Sequence, residues 1–352
     1  QNPNKEYLFI IHNVVDGQGG LEHKNSTTLS VNRWTYSGSS YVKFLSLVAH
    51  EYFHLWNVKR IRPFELGPFD YNQENYTDLL WVMEGFTSYY DELLLLRAGY
   101  YTQSEFLSKM ESSINYVEGS VGARVQPVAH ASYDAWIKAY RPNENSANTT
   151  MTYYTRGSII ASFLDVKIIR NTNGEKCLDH FLQHVYDKFY AKAGRGFTSE
   201  EFKRELESFT GENLDDFYAD YIDGTAIPSY AELFDGMGVQ VTDVTSTKPD
   251  FGASLRSSGG KAIVSRIRSN SAAEDAGLSV NDEIIGCNGY RVSKSDIEGL
   301  MKSLNEGDEL ELLIARDEIL FSVSFTMTNY TRPRYLFNLT NEENKLRAYW
   351  LR

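Results

Sequence analysis

Apolar positions along the chain change their spacing twice, and the two changes mark three stretches of different character. In the first 33 residues Tyr7-Leu8-Phe9-Ile10-Ile11-His12 and Thr27-Thr28-Leu29-Ser30-Val31 read as strands, joined across a predicted turn at Gly17 to Gly20. From Tyr41 to about Tyr221 the spacing is mostly helical. Tyr41 to Ala49 holds neither Pro nor Gly and the next Pro is Pro63, which predicts a helix with His50 and His54 near its middle. Residues 65–78 lie among Pro63, Gly67, Pro68 and several Asn and read as loop. Leu79 to Leu93 predicts one long apolar helix, and further periodicities run over Ser158 to Ile169, Cys177 to Tyr190 and Ser199 to Phe209 before Asp223-Gly224 to Pro228 breaks the pattern. Beyond Gly236 the texture turns to short β-runs: Val239 to Val241, Ala262 to Val264, Asp282 to Gly286 and Leu310 to Ile314.

A chain of 352 residues exceeds a usual single domain, so two are expected: residues 1–235, then 236–330, with 331–352 as a tail packed back on the body. The overall class is α+β. A net charge of −12 argues against nucleic acid and anionic membrane surfaces as partners. No apolar run approaches the length of a membrane span. Cys177 and Cys287 fall in different expected domains, so neither a disulfide nor a cysteine metal motif is anticipated.

The chemistry-bearing stretch is His50-Glu51-Tyr52-Phe53-His54. Helical residues four apart share a face at roughly 6 Å, close enough for both imidazoles to reach one zinc ion at about 2.0 to 2.1 Å. Glu51, one step round, is then the general base that addresses the metal-bound water. Two core histidines on a buried helix would give the same pentapeptide, so a third ligand decides the matter. A third His is excluded, because Asn57 and Arg60 stand where that pattern needs Gly and His. The acids downstream are Glu65, Asp70, Glu74, Asp78, Glu84, Asp91 and Glu92. Glu84 is the best candidate, since an acid among Trp81, Val82, Met83 and Phe86 is expensive unless paired or metal-bound. A place on the wet face of that helix is its alternative. Asp91, two helical turns on, shares the face of Glu84 and could accept the free N–H of a ligand histidine, or be an exposed acid.

His50 to Pro63 followed by Trp81 to Tyr90 resembles the PDZ-containing glycyl aminopeptidase family of gluzincin metallopeptidases. Further family-like stretches are Gly19 to His23, Ser132 to Lys138, Tyr140 to Asn145 and Tyr153 to Gly157, in the family's order over residues 7 to about 230. The resemblance implies a thermolysin-like layout, a small sheet and a helical lobe with the cleft between them, and a single Zn2+ held by His50, His54 and Glu84. It implies that Gly19-Gly20-Leu21-Glu22 lies along the substrate with Glu22 on its α-ammonium, although His23 replaces the Asn of related enzymes. It also implies that Tyr154, three before Gly157, hydrogen-bonds the oxyanion; Tyr153 is its nearest rival.

Residues 236–330 resemble a PDZ domain, most closely from Ala276-Gly277-Leu278 through Val292. Phe251 to Leu255 takes the place of the carboxylate-binding loop, and Ser295 to Leu304 that of the helix beside the peptide groove. Peptide C-termini are thus one expected partner; bracing the catalytic lobe is the other expected role. Nothing in the chain resembles the β-rich N-terminal domain usual in this family, so a longer full-length protein is expected. Analogy with other PDZ-bearing proteases points to the periplasm or cell envelope. Three functions follow: a zinc aminopeptidase acting after small residues such as Gly or Ala, a zinc endopeptidase, and a catalytically silent PDZ adaptor.

Overall fold

The computed structural model describes residues 2–352. Strands β1 (Leu8–Val14), β2 (Gln18–Glu22) and β3 (Ser26–Asn32) form a sheet in the order β1-β3-β2, with β1 parallel and β2 antiparallel to the centre. Thr27, Leu29 and Val31 are buried and alternate with half-buried neighbours, the period of a strand with one packed face. The turn expected at Gly17 to Gly20 is mostly strand. A Cβ on Gly20 would collide with the Glu51 carboxylate, so this glycine serves a close approach between β2 and the following helix.

That helix, α1 (Gly38–Phe53), buries Phe44 against Leu29 and Val31. It ends earlier than its sequence suggests. His54 caps it, because Leu55 N and Trp56 N bond the carbonyls of Tyr52 and Phe53 and tighten the chain into a turn. The long helix expected from Leu79 is likewise two pieces, α2 (Leu80–Met83) and α3 (Gly85–Arg97), with Glu84 at the joint. Asn57 Nδ2 donates to Val82 O and Met83 O at 3.0 Å each, and Thr87 Oγ1 donates to Met83 O at 2.6 Å, so side chains take up carbonyls at the break.

The lobe continues through α4 (Gln103–Glu118), α5 (Val128–Tyr133), α6 (Ser146–Thr149), α7 (Tyr153–Asn171), α8 (Leu178–Val185) and α9 (Ser199–Thr210). The run expected to end at Tyr190 passes from α8 into a wider π-helical segment, Tyr186–Lys192. Helix α7 is the axis of the core, with thirteen buried residues. It crosses the α2–α3 joint at backbone contact: a Cβ on Gly85 would strike Gly157, and one on Gly157 would lie 2.5 Å from Trp81 O. Glycine at both positions is what lets the helices meet so closely.

The rest is β-rich. Strands β4 (Val239–Asp243) and β5 (Ser246–Pro249) lead into β6 (Ala253–Ser258), β7 (Lys261–Ile267), β8 (Glu283–Cys287), β9 (Tyr290–Arg291), β10 (Glu309–Arg316) and β11 (Ile319–Thr326), and the chain closes with β12 (Asn329–Arg332) and β13 (Tyr335–Leu339). One sheet runs β11-β10-β8-β7-β6, with β9 beside β8. Its core of Val264, Leu312, Ile314, Phe325 and Met327 is separate from that of the lobe. β4 pairs with β13, and Val239 and Phe337 join the lobe's core together with Trp350 and Leu351 near the C-terminus. Buried Asn148 of α6 reaches across, donating to Ile267 O at 2.8 Å and accepting from Ser269 N at 3.0 Å. Among the described residues no helix is long and apolar enough to cross a membrane, and both cysteines are free and buried.

Candidate metal centre

The last turn of α1 and the α2–α3 joint face each other, so residues 34 positions apart meet. His50 Nε2 and His54 Nε2 lie 3.2 and 3.3 Å from the same oxygen, Glu84 Oε2. The other ring nitrogens are engaged from behind: His50 Nδ1 with Asp91 Oδ2 at 3.0 Å and His54 Nδ1 with Asn57 O at 2.7 Å. Those outer contacts fix both imidazoles with Nε2 directed inward. The helix break gives Glu84 its position, since an uninterrupted helix would carry its side chain along a different line.

Charge in this cluster is strongly coupled. Burial pulls His50 down, but hydrogen bonds and charge from Asp91 and Glu84 outweigh it and push its pKa up to about 10. His54 moves the same way, burial being overcome by the Glu84 carboxylate. Burial would raise Glu84, yet the charge of His54 and hydrogen bonds from both imidazoles hold it well below the usual carboxylate range. Two imidazoles drawn toward protonation around an ionised carboxylate are three groups gathered where a cation belongs. Two Nε2 atoms and one carboxylate oxygen fit a divalent metal ion as a donor set.

Glu51 is buried beside this cluster, and its Oε2 has no hydrogen-bond partner among the described residues. Burial raises its pKa, with the two histidines opposing. An orphaned carboxylate oxygen in a dry site calls for a partner that the protein itself does not supply. Glu22 on β2 closes the other side: ligand atoms of Glu22, Glu51 and His54 lie within 4.8 Å of one another. Its Oε1 accepts from Lys59 Nζ at 2.8 Å, a pairing not foreseen in the sequence. Gly20 touches Glu51 through the approach described above, whereas a Cβ on Gly19 would meet only open space.

Tyr154, in the first turn of α7, stacks on His50 with ring centroids 6.2 Å apart. The Gly85–Gly157 crossing brings its ring there. Burial first, then the charge of Glu84, pushes the phenol well above its usual value, so it stays protonated as a donor. Tyr153 lies against Tyr154 and is itself buried in the core. His50, Glu51, His54, Glu84, Asp91, Glu22 and Tyr154 are thus gathered into one cluster where the small sheet meets the helical lobe. Asn57 and Lys59 belong with them and escape a motif search, because their contacts to His54, to the helix joint and to Glu22 are tertiary.

Residues 43–160 match the M61 glycyl aminopeptidase family model, and residues 235–326 match the PDZ domain model. The fold is similar to that of an aminopeptidase N family protein from Idiomarina loihiensis, at 27% identity and a TM-score of 0.86, covering 100% of this chain and 63% of that one. The chain therefore spans less than two thirds of that protein's length. A PDZ domain of a carboxy-terminal protease from Vibrio cholerae, solved with a peptide, is similar at 18% identity and a TM-score of 0.22, over 24% of this chain and 98% of its own. No curated protein sequence matches the chain.

Proposed function

We propose that the chain, which belongs with the PDZ-bearing M61 glycyl aminopeptidases, is a zinc aminopeptidase that removes small N-terminal residues such as Gly or Ala. The observation that carries this reading is the convergence of His50 Nε2, His54 Nε2 and Glu84 Oε2 next to an unpartnered Glu51, with Glu22 on the same wall. One zinc ion held by His50, His54 and Glu84 would supply Lewis acidity and a water of pKa near 7. Glu51 takes the proton of the attacking water and returns it to the leaving amine, a role suited to a buried carboxylate with a raised pKa. Tyr154 donates its phenolic hydrogen to the developing oxyanion. Asp91 orients His50 from behind.

Glu22 receives the substrate's α-ammonium on Oε2 while Oε1 stays on Lys59. Gly20 lets the strand that carries it lie close to the reacting centre. Because Lys59 already offsets part of the Glu22 charge, an endopeptidase indifferent to the substrate amine is the second reading. Acetylated and free-amine forms of one peptide separate the two. Loss of a charge-assisted contact should lower kcat/KM for the acetylated form by roughly 10- to 150-fold, and Glu22→Gln should penalise mainly the free-amine form. Equal cleavage of both forms by the wild type would remove the aminopeptidase assignment and leave the metal site standing. The PDZ-like domain is assigned a bracing role, with the edge strand β6 and the helix Lys294–Met301 offering a groove to a peptide C-terminus.

A further inference from the structure

A cavity of about 440 Å³ is lined by Tyr154 between the helical lobe and the PDZ-like domain. Its wall includes Gln126, Lys138, Tyr140, Tyr153 and Tyr154 from the lobe and Arg266 of β7 from the other domain. The chain has 47 acids against 35 Lys and Arg, yet two cations and no Asp or Glu line this cavity. Lys138 is paired with Asp134 at 2.7 Å, whereas Arg266 has no ion pair among the described residues. Gln126 is 4% exposed; its Oε1 accepts from Met151 N at 3.0 Å, which directs Nε2 the other way, and that Nε2 has no partner among the described residues.

An unpartnered buried amide N–H, a free guanidinium and several hydroxyls, with no carboxylate among them, present donors and positive charge to whatever enters. An ammonium would find no acceptor charge there, while a carboxylate would find a planar guanidinium fork suited to it. The cavity and Glu22 adjoin the cluster at different residues. Glu22 approaches the cluster from His54 and Glu51, whereas Tyr154 approaches it from His50.

We propose that this cavity binds the C-terminal carboxylate of short peptide substrates, with Arg266 of the PDZ-like domain as its cation and Gln126 as a buried donor. The proposal rests on the peptidase reading and adds polarity to it: amine at Glu22, carboxylate at Arg266, scissile bond between. It makes the PDZ-like domain part of the substrate site and makes di- and tripeptides better substrates than long chains.

The test compares a tripeptide acid with its C-terminal amide, both with free N-termini, on the zinc-loaded chain. The wild type should favour the acid by roughly tenfold or more in kcat/KM. Arg266→Glu, a change at an exposed position, should abolish or invert that preference while leaving the amide within about twofold, and Arg266→Lys should restore part of it. Equal rates for acid and amide in the wild type, or a preference that survives Arg266→Glu, overturns the proposal. Calorimetric binding of the same pair to Glu51→Gln protein, with and without Arg266→Glu, gives an answer independent of turnover. Acid-selective binding that depends on Arg266, alongside a zinc-loaded wild type that cleaves neither peptide, would uphold the cavity and sink the aminopeptidase reading instead.

Discussion

Glu51 and Glu84 are carboxylates beside the same two imidazoles, and their environments drive them apart. Burial acts to raise both, but only Glu84 has hydrogen bonds from His50 and His54 to hold it ionised. Under the proposed function the ionised one binds metal and the unpartnered one moves a proton. Glu84→Ala protein should accordingly emerge from purification without stoichiometric zinc, while Glu51→Gln should retain the metal and lose activity. Zinc retained by Glu84→Ala would mean that another acid is the ligand. Tyr154→Phe removes one oxyanion donor and should lower kcat by about 10²-fold or more with KM little changed; unchanged kcat would return Tyr154 to a packing role. At this scale the sequence was informative wherever spacing along one helix decided a contact, as for His50 with His54. Lys59 on Glu22 and Arg266 by Tyr154 were invisible, because each pair is joined only by the fold.

Between residues and the whole fold stand two helix ends that share one side chain. Asn57 accepts His54 Nδ1–H on its backbone carbonyl and spends its amide on Val82 O and Met83 O, so it connects two of the three candidate ligands through the joint at Glu84. Asn57→Ala would leave the buried Val82 carbonyl without a donor while Met83 O keeps Thr87 Oγ1, a loss of about 1 to 3 kcal/mol in denaturant unfolding. It should also weaken metal binding by roughly 10- to 100-fold in chelator competition, as loss of an outer contact does elsewhere. Unchanged metal affinity in a destabilised variant would confine Asn57 to packing. The same break explains why an apolar run from Leu79 to Leu93 reads as one helix: side-chain capping of interior carbonyls has no period. Gly20 is a parallel case, for its glycine reads as a turn residue until the Glu51 carboxylate is seen against it.

Across the whole molecule, the C-terminal segment is tied to the catalytic lobe through one buried carboxyl. Trp350 Nε1 donates to Tyr89 OH at 2.8 Å, Tyr89 OH donates to Asp165 Oδ2 at 2.7 Å, and Leu178 N donates to Asp165 Oδ1 at 2.7 Å. The chain thereby joins α3, α7, the start of α8 and the last turn of the protein, none of which sequence spacing relates. Burial raises the Asp165 pKa from 3.8 to about 6, against the opposing hydrogen bonds. The folded state therefore holds this proton more tightly than the unfolded chain does. Stability from this group is greatest below the unfolded value and falls as pH rises toward about 6, by an amount on the order of 3 kcal/mol. Asp165→Asn cannot ionise, so it carries a constant cost from whichever hydrogen bond the amide makes poorly and loses no stability as pH rises. Unfolding free energies of both proteins between pH 4.5 and 7.5 should then show the variant gaining on the wild type as pH rises and levelling off above about pH 6 to 7. A difference that stays flat over that interval would mean that Asp165 is ionised throughout, and that its hydrogen bonds outweigh its burial.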